Sequence, residues 1–345
     1  MAVNKTINIG DHCIKPGERI NVSLPVADLY TGTSLSMPVK AISGRKDGPV
    51  LFVSAAIHGD ELNGVEIIRR LLKRKILRSL RGTLIAIPIV NVHGFLYQSR
   101  YLPDRRDLNR SFPGTPKGSI AARLADLFTT EIVAKADYGI DLHTGAINRT
   151  NLPQIRANLD DEKTRDIAHV FGTPVIINSN IRDGSLRGLA AERGLPILIY
   201  EAGEALRFDE VAIRGGIRGI LNVMRHIGML PKSKRLRQIT PVIAESTSWV
   251  RAPTSGIVSG TVELGGSVAK GQTLATVSDP LGDAVQDVVA PFDGIVIGRS
   301  NLPLAHEGDA LVNLGAFQDV AVAQGRVESF VDVHDVETDK QVLNP

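Results

Sequence analysis

Val50-Leu-Phe-Val-Ser-Ala-Ala-Ile57, followed at once by His58-Gly-Asp-Glu61-Leu-Asn-Gly64, is the stretch whose reading decides the fold. Eight residues without a charge, closed by a polar turn, suit a strand buried on both faces. Beyond the turn, Val65, Ile68, Leu72, Ile76 and Leu80 recur at three- and four-residue steps, which predicts a helix over 61–80. Strand, turn and helix in that order make one unit of an α/β protein. The alternation continues outward. Apolar runs at 84–90, 139–142 and 196–200 read as further buried strands, and helical periodicity returns at 118–134 and 209–228. The expected architecture to about residue 230 is α/β, a sheet flanked by helices.

The rest of the chain has another texture. Pro231 to Arg237 (PKSKRLR) is polar and basic with no apolar period, and reads as a linker. After it Gly, Val and Pro dominate, and Ala252-Pro-Thr-Ser-Gly-Ile-Val-Ser-Gly260 returns as Ala290-Pro-Phe-Asp-Gly-Ile-Val-Ile-Gly298, identical at six of nine positions. Two turn-rich half-units predict a small duplicated all-β module. It resembles the biotinyl/lipoyl-carrier barrel, the hammerhead fold. The hairpin between the halves, Val277 to Gln286, contains no lysine to carry a cofactor, and Lys270 lies in an earlier turn, so a structural or lid-like module is expected. The organisation read from sequence is a main domain over 1–235, a β-barrel over 236–320 and a polar tail over 321–345, either a docking arm or a mobile end.

Composition excludes several classes. Of 345 residues, 43% are hydrophobic and 22% charged, which argues against disorder, and a lone Cys13 argues against a disulfide scaffold. No run nears the ~18 apolar residues of a membrane span. The opening MAVNKTINIG lacks the apolar core of a signal peptide, so a cytoplasmic location is expected. A net charge of +3 gives no reason to expect nucleic acid. Arg69, Arg70, Lys73, Arg74, Lys75, Arg78 and Arg81 crowd one segment without interleaved aromatics, the pattern of a solvated helix face.

Chemistry concentrates at the first turn. His58 and Glu61, three apart at a strand-to-helix junction, can converge on one point. A histidine and a carboxylate with a distant second histidine make the ligand set of a catalytic zinc, which keeps one position open. His143, in Asp141-Leu-His143 after a buried run, is the second histidine, with Asp141 placed to orient a ligand. His12, His93, His169, His226 and His306 compete for that place on spacing alone.

Four stretches in order carry a resemblance: His58-Gly-Asp-Glu61, then Asp107-Leu-Asn109-Arg110-Ser-Phe-Pro-Gly114, then Asp141-Leu-His143, then Tyr200-Glu201-Ala-Gly203. Together, over about residues 1–230, they resemble the succinylglutamate desuccinylase/aspartoacylase family of the zinc carboxypeptidase superfamily, whose bacterial members commonly carry a terminal barrel. The resemblance implies a zinc-carboxypeptidase-like mixed sheet and one Zn2+ per chain on His58, Glu61 and His143. It implies hydrolysis of an N-acyl amino acid, with Glu201 as general base and acid on zinc-bound water and Glu204 as its neighbouring competitor. Asn109 and Arg110 match the pair that holds the substrate carboxylate. Arg100 best matches an arginine that bears charge at the carbonyl, with Arg105 and Arg106 as alternatives. The chain departs from many relatives in having Val92, not proline, after Asn91, and no tyrosine is matched to the family's late active-site tyrosine. A metallocarboxypeptidase acting on short peptides and a non-catalytic binding protein are the other readings. Homo-oligomerisation, the acyl group and the amino acid are left open.

Overall fold

The structure, a computed structural model, describes residues 2–179, 182–232 and 239–335. A short hairpin (β1, Ile7–Ile9; β2, His12–Ile14) leads into two ten-residue antiparallel strands, β3 (Arg19–Asp28) and β4 (Ser34–Ser43). Then come β5 (Lys46–Ala55), α1 (Asn63–Leu71), β6 (Arg81–Ile87), α2 (Val92–Leu96) and α3 (Ile120–Glu131). The sequence continues through β7 (Tyr138–Gly145), β8 (Arg149–Ala157), α4 (Glu162–Phe171), β9 (Val175–Asn178), α5 (Leu186–Glu192), β10 (Ile197–Glu204) and α6 (Glu210–His226).

The carboxyl-terminal part contributes β11 (Val242–Ala244), β12 (Ser246–Arg251), β13 (Gly256–Ser259), β14 (Ser267–Val268) and β15 (Thr273–Ser278). It ends with β16 (Val285–Val289), β17 (Gly294–Ser300), β18 (Leu304–Ala305), β19 (Ala310–Ala316) and a helix, α7 (Val320–His334). Among the described residues no helix is long and apolar enough to cross a membrane.

A large mixed sheet organises the molecule, in the order β12-β19-β17-β8-β10-β7-β5-β6-β4-β3. Its centre, β10-β7-β5-β6, is parallel, as continuous apolar strands covered on both faces require. One face packs α1, α4 and α6 through Ile67, Leu71, Phe171, Ile213 and Ile217 against Leu51, Ile140 and Leu198. The other packs α3 and α5 through Leu124, Phe128 and Leu189 against Phe52, Ile85 and Val39. Each such fully buried side chain contributes roughly 1.5–3 kcal/mol of transfer free energy.

The expected α/β sheet with flanking helices is observed, with differences at the first helix and in the carboxyl-terminal part. The helix expected over 61–80 ends at Leu71, and a 3-10 turn, Lys75–Ser79, carries Leu77 into the core. No glycine or proline lies between Gly64 and Gly82 to mark that end. The basic face it displays is partly paired, since Arg70 meets Glu66 at 2.6 Å and Glu210 at 2.6 Å.

The described residues expected to form the small all-β module, 239–319, contain strands and no helix, and part of them joins the large sheet. β17 pairs with β8, so β17, β19 and β12 extend the main sheet, while β16-β15-β13-β18 form a second, four-stranded antiparallel sheet. The two copies of the repeat thus fall in different sheets, β13 in the small one and β17 in the large one. The polar tail is, through residue 334, the helix α7, with Ala323 and Val327 buried beside Ile295, Ile297 and Ile177, and Phe330 buried against Gly215 of α6. The expected boundary at 235/236, most of the linker and the last ten residues of the tail lie outside the described residues.

Candidate functional site

The carboxyl ends of β5, β7 and β10 open into one cavity of about 640 Å3, the crevice where open α/β sheets bind ligands. Each end is positioned by local chemistry. After β5, Ala56 takes φ +51°, a left-handed conformation that swings the chain toward His58. Gly59 follows because the turn runs backbone to backbone against α2, where a Cβ would sit 2.0 Å from the Gly94 carbonyl carbon. Asn63 then ties the start of α1 to β10 by donating to the Ala202 carbonyl at 3.1 Å. In the parallel register of β7 and β10, Glu201 lies beside His143.

The turn and β7 bring three of the expected ligands together. His58, Glu61 and His143 are buried, and their donor atoms lie within 4.8 Å of one another. His58 Nδ1 lies 2.7 Å from Glu61 Oε1, and His143 Nδ1 lies 2.8 Å from Glu61 Oε2. Behind them, His58 Nε2 meets Asp107 at 3.1 Å, and His143 Nε2 meets Asp141 at 2.7 Å. Ser54 Oγ in turn donates to Asp141 at 2.7 Å.

This arrangement fits a cation. With each Nε2 proton directed at a carboxylate, each Nδ1 presents a lone pair to a carboxylate oxygen, and such atoms repel unless a positive charge lies among them. Two nitrogens and a carboxylate are also the donor set that zinc accepts. The electrostatics favour positive charge at the same place. Burial disfavours a charge on His58, yet Glu61 and Asp107 outweigh it and raise its pKa. For His143, burial is likewise overcome by Asp141 and Glu61. Glu61 stays ionised against its burial because both histidines hold its carboxyl far below the usual range.

Arg100 faces this cluster. Its guanidinium bonds Asp107 at 2.9 Å and reaches Glu61 at 3.4 Å. Arg105 and Arg106 do not join it; both are exposed, and Arg106 lies 3.8 Å from Asp104. The turn after Asn91 is the short helix α2, capped by the Asn91 side chain, which also reaches the Arg100 carbonyl at 3.4 Å. Replacing proline by Val92 leaves that support in place.

Glu201 lines the same cavity at a bulge in β10. Asn151 donates to its Oε2 at 2.6 Å, and Arg156 lies 3.3 Å from its Oε1. Glu204 is not in the cavity lining and accepts from Asn301 at 2.9 Å. Asn109 and Arg110 both line the cavity. Asn109 uses its Oδ1 to accept from the Leu186 amide at 2.9 Å, and Arg110, which is exposed, donates to the Asn109 carbonyl.

Sequence reading missed the rest of the wall. Arg149, Arg156, Arg182 and Arg187 join Arg100 and Arg110, whereas Glu61 and Glu201 are the acidic side chains of the lining. Arg187 is buried and pushed down to about 10, first by burial and then by the charge of Arg156. Thr247 and Trp249 of β12 close the cavity, with Arg149 stacked over the indole at 5.3 Å. None of these residues sits in a motif; Arg149 and Arg156 come from β8, Arg187 from α5, and Thr247 and Trp249 from β12, which reaches β8 through β19 and β17. No tyrosine lines the cavity among the described residues.

The sequence and the fold match known proteins. Residues 47–227 match the succinylglutamate desuccinylase/aspartoacylase catalytic domain. The chain is 29% identical over 304 residues to N-alpha-acetyl-L-2,4-diaminobutyric acid deacetylase of Halomonas elongata, covering 84% of this chain and 89% of that one. The product-bound ectoine utilization protein EutE (DoeB) of Ruegeria pomeroyi superposes with a TM-score of 0.78 at 26% identity, over 87% of this chain and 97% of that one. A succinylglutamate desuccinylase/aspartoacylase of Rhodobacter sphaeroides gives 0.78 at 25%, over 87% and 95%. The chain belongs to the succinylglutamate desuccinylase/aspartoacylase family.

Proposed function

We propose that this protein is a zinc-dependent amidohydrolase that removes the acyl group from an N-acyl amino acid. The observation that carries the reading is the convergence of His58, Glu61 and His143, each histidine backed by a carboxylate, in one cavity with Glu201. Zinc bound there would supply Lewis acidity, polarising the scissile carbonyl and lowering the pKa of water.

The chain's own groups do the rest. Glu201 takes a proton from the attacking water and passes it to the leaving nitrogen, so one carboxylate serves as base and then as acid. Arg100 sets its guanidinium beside the ligand cluster, where it offsets negative charge growing on the carbonyl oxygen. Arg110, with the other cations of the wall, draws the substrate carboxylate into the cavity. The substrate named for the Halomonas elongata relative supports an N-acetyl amino acid as the first compound to assay.

The test is hydrolysis of N-acetyl and N-succinyl amino acids, alongside short peptides, by zinc-loaded protein. Activity on the acyl amino acids is expected, and Glu201→Gln should keep zinc while lowering kcat by about 10²–10⁴-fold. Cleavage of peptides alone would move the protein to the carboxypeptidases. Undiminished turnover by Glu201→Gln would remove Glu201 from the chemistry.

A further inference from the structure

Asn151 stands in β8 between two glycines, opposite Gly203 of β10 on one side and Gly298 of β17 on the other. It is buried, and its Nδ2 donates to Glu201 Oε2 at 2.6 Å. The register of β10 shifts between Glu201 and Gly203, so regular strand geometry does not aim the Glu201 carboxylate. A glutamate side chain has several soft torsions, and a proton carrier must be held within hydrogen-bond reach of its water. Asn151 supplies that restraint and leaves Oε1 toward Arg156.

Asn151 is itself held from the carboxyl-terminal part. A Cβ on Gly298 would lie 3.0 Å from Asn151 Oδ1 and 3.4 Å from the Cβ of Asn313 on β19. The bare backbone of β17 therefore packs directly on the asparagine amide. We infer that Asn151 is a positioning residue for Glu201, and that the carboxyl-terminal module acts on the reaction by holding Asn151 through β17. The inference rests on the reading of Glu201 as the proton carrier.

The experiment measures kcat, KM and zinc content for Asn151→Ala, Asn151→Asp, Gly298→Ala and Glu201→Gln, and for Asn151→Ala combined with Glu201→Gln. Asn151→Ala is expected to lower kcat by about 10–100-fold through misplacement of the carboxylate, with KM and zinc content unchanged. Asn151→Asp preserves the volume but replaces the donor with a second carboxylate, and is expected to lower kcat further. A merely structural role gives the opposite order, because aspartate fills the space that alanine leaves. Gly298→Ala, which is outside the cavity lining, is expected to lower kcat with KM unchanged. In the Glu201→Gln background, Asn151→Ala should add less than about a twofold loss, because coupled residues are not additive. An inactive Glu201→Gln together with a wild-type kcat in Asn151→Asp and Gly298→Ala overturns the inference alone. A fully active Glu201→Gln overturns the base assignment and this inference with it.

Discussion

The two ends of the cavity are built differently. At one end His58, Glu61 and His143 are buried, and each histidine is fixed by Asp107 or Asp141 before any ligand arrives. At the other end the wall is cationic and more solvated: Arg110 and Arg182 are exposed and Arg149 and Arg156 half-buried, while Arg187 is buried behind them. A multiply charged ion needs every lone pair in place beforehand, because residual freedom among buried donors weakens binding. A substrate carboxylate can be met by hydrated guanidinium groups that lose water only when it arrives. The first end should therefore respond to substitution in an all-or-none way, and the second by degrees.

That contrast can be broken or sharpened by measurement. The largest effect is expected at the buried end. His58→Ala and His143→Ala should each lose zinc, because two remaining protein ligands cannot retain it, and activity should vanish with the metal. Normal zinc content by elemental analysis in both variants would end the metal assignment. Next, Asp141→Asn should weaken zinc affinity by about 10–100-fold, the usual worth of a carboxylate behind a ligating histidine, with all three ligands intact. A chelator competition titration reads this directly, and an unchanged affinity would reduce Asp141 to a packing role beside Ser54.

The smallest effect belongs to the solvated end. Because Arg110 is exposed, Arg110→Ala should raise KM only about tenfold, equivalent to ~1.4 kcal/mol, with kcat and zinc content nearly unchanged. Loss of kcat with constant KM would instead place Arg110 at the reacting carbonyl, and the contrast between the two ends would fail there.

Much of the buried end was legible in the chain. His58 and Glu61 stand three apart after an uncharged run, and Asp141 and His143 sit together after another, so strand ends and chemistry coincide in sequence. The burial period of α7 is carried by the chain too: Ala323, Val327, Phe330 and His334 are spaced by four, three and four, and all are buried. The end of α1 was not legible, since no breaker marks it and the turn at Lys75–Ser79 follows the core's need for Leu77.

By itself, the sequence determined the α/β class, the order of the central strands with their helices, the family and the three-residue cluster that fits a metal. These rest on local periodicity and on short spacings, which a chain carries wherever it folds. Tertiary structure alone decided that Arg100 faces the cluster while Arg105 and Arg106 do not, and that Asn151 reaches Glu201. It also decided that Trp249, from the far end of the chain, closes the cavity, and that the two repeat copies join different sheets. The physical reason is that these relations join residues 39 to about 150 positions apart, several of them through strand pairing. Pairing register is set by which faces the whole core buries, and that choice leaves no local mark on the sequence.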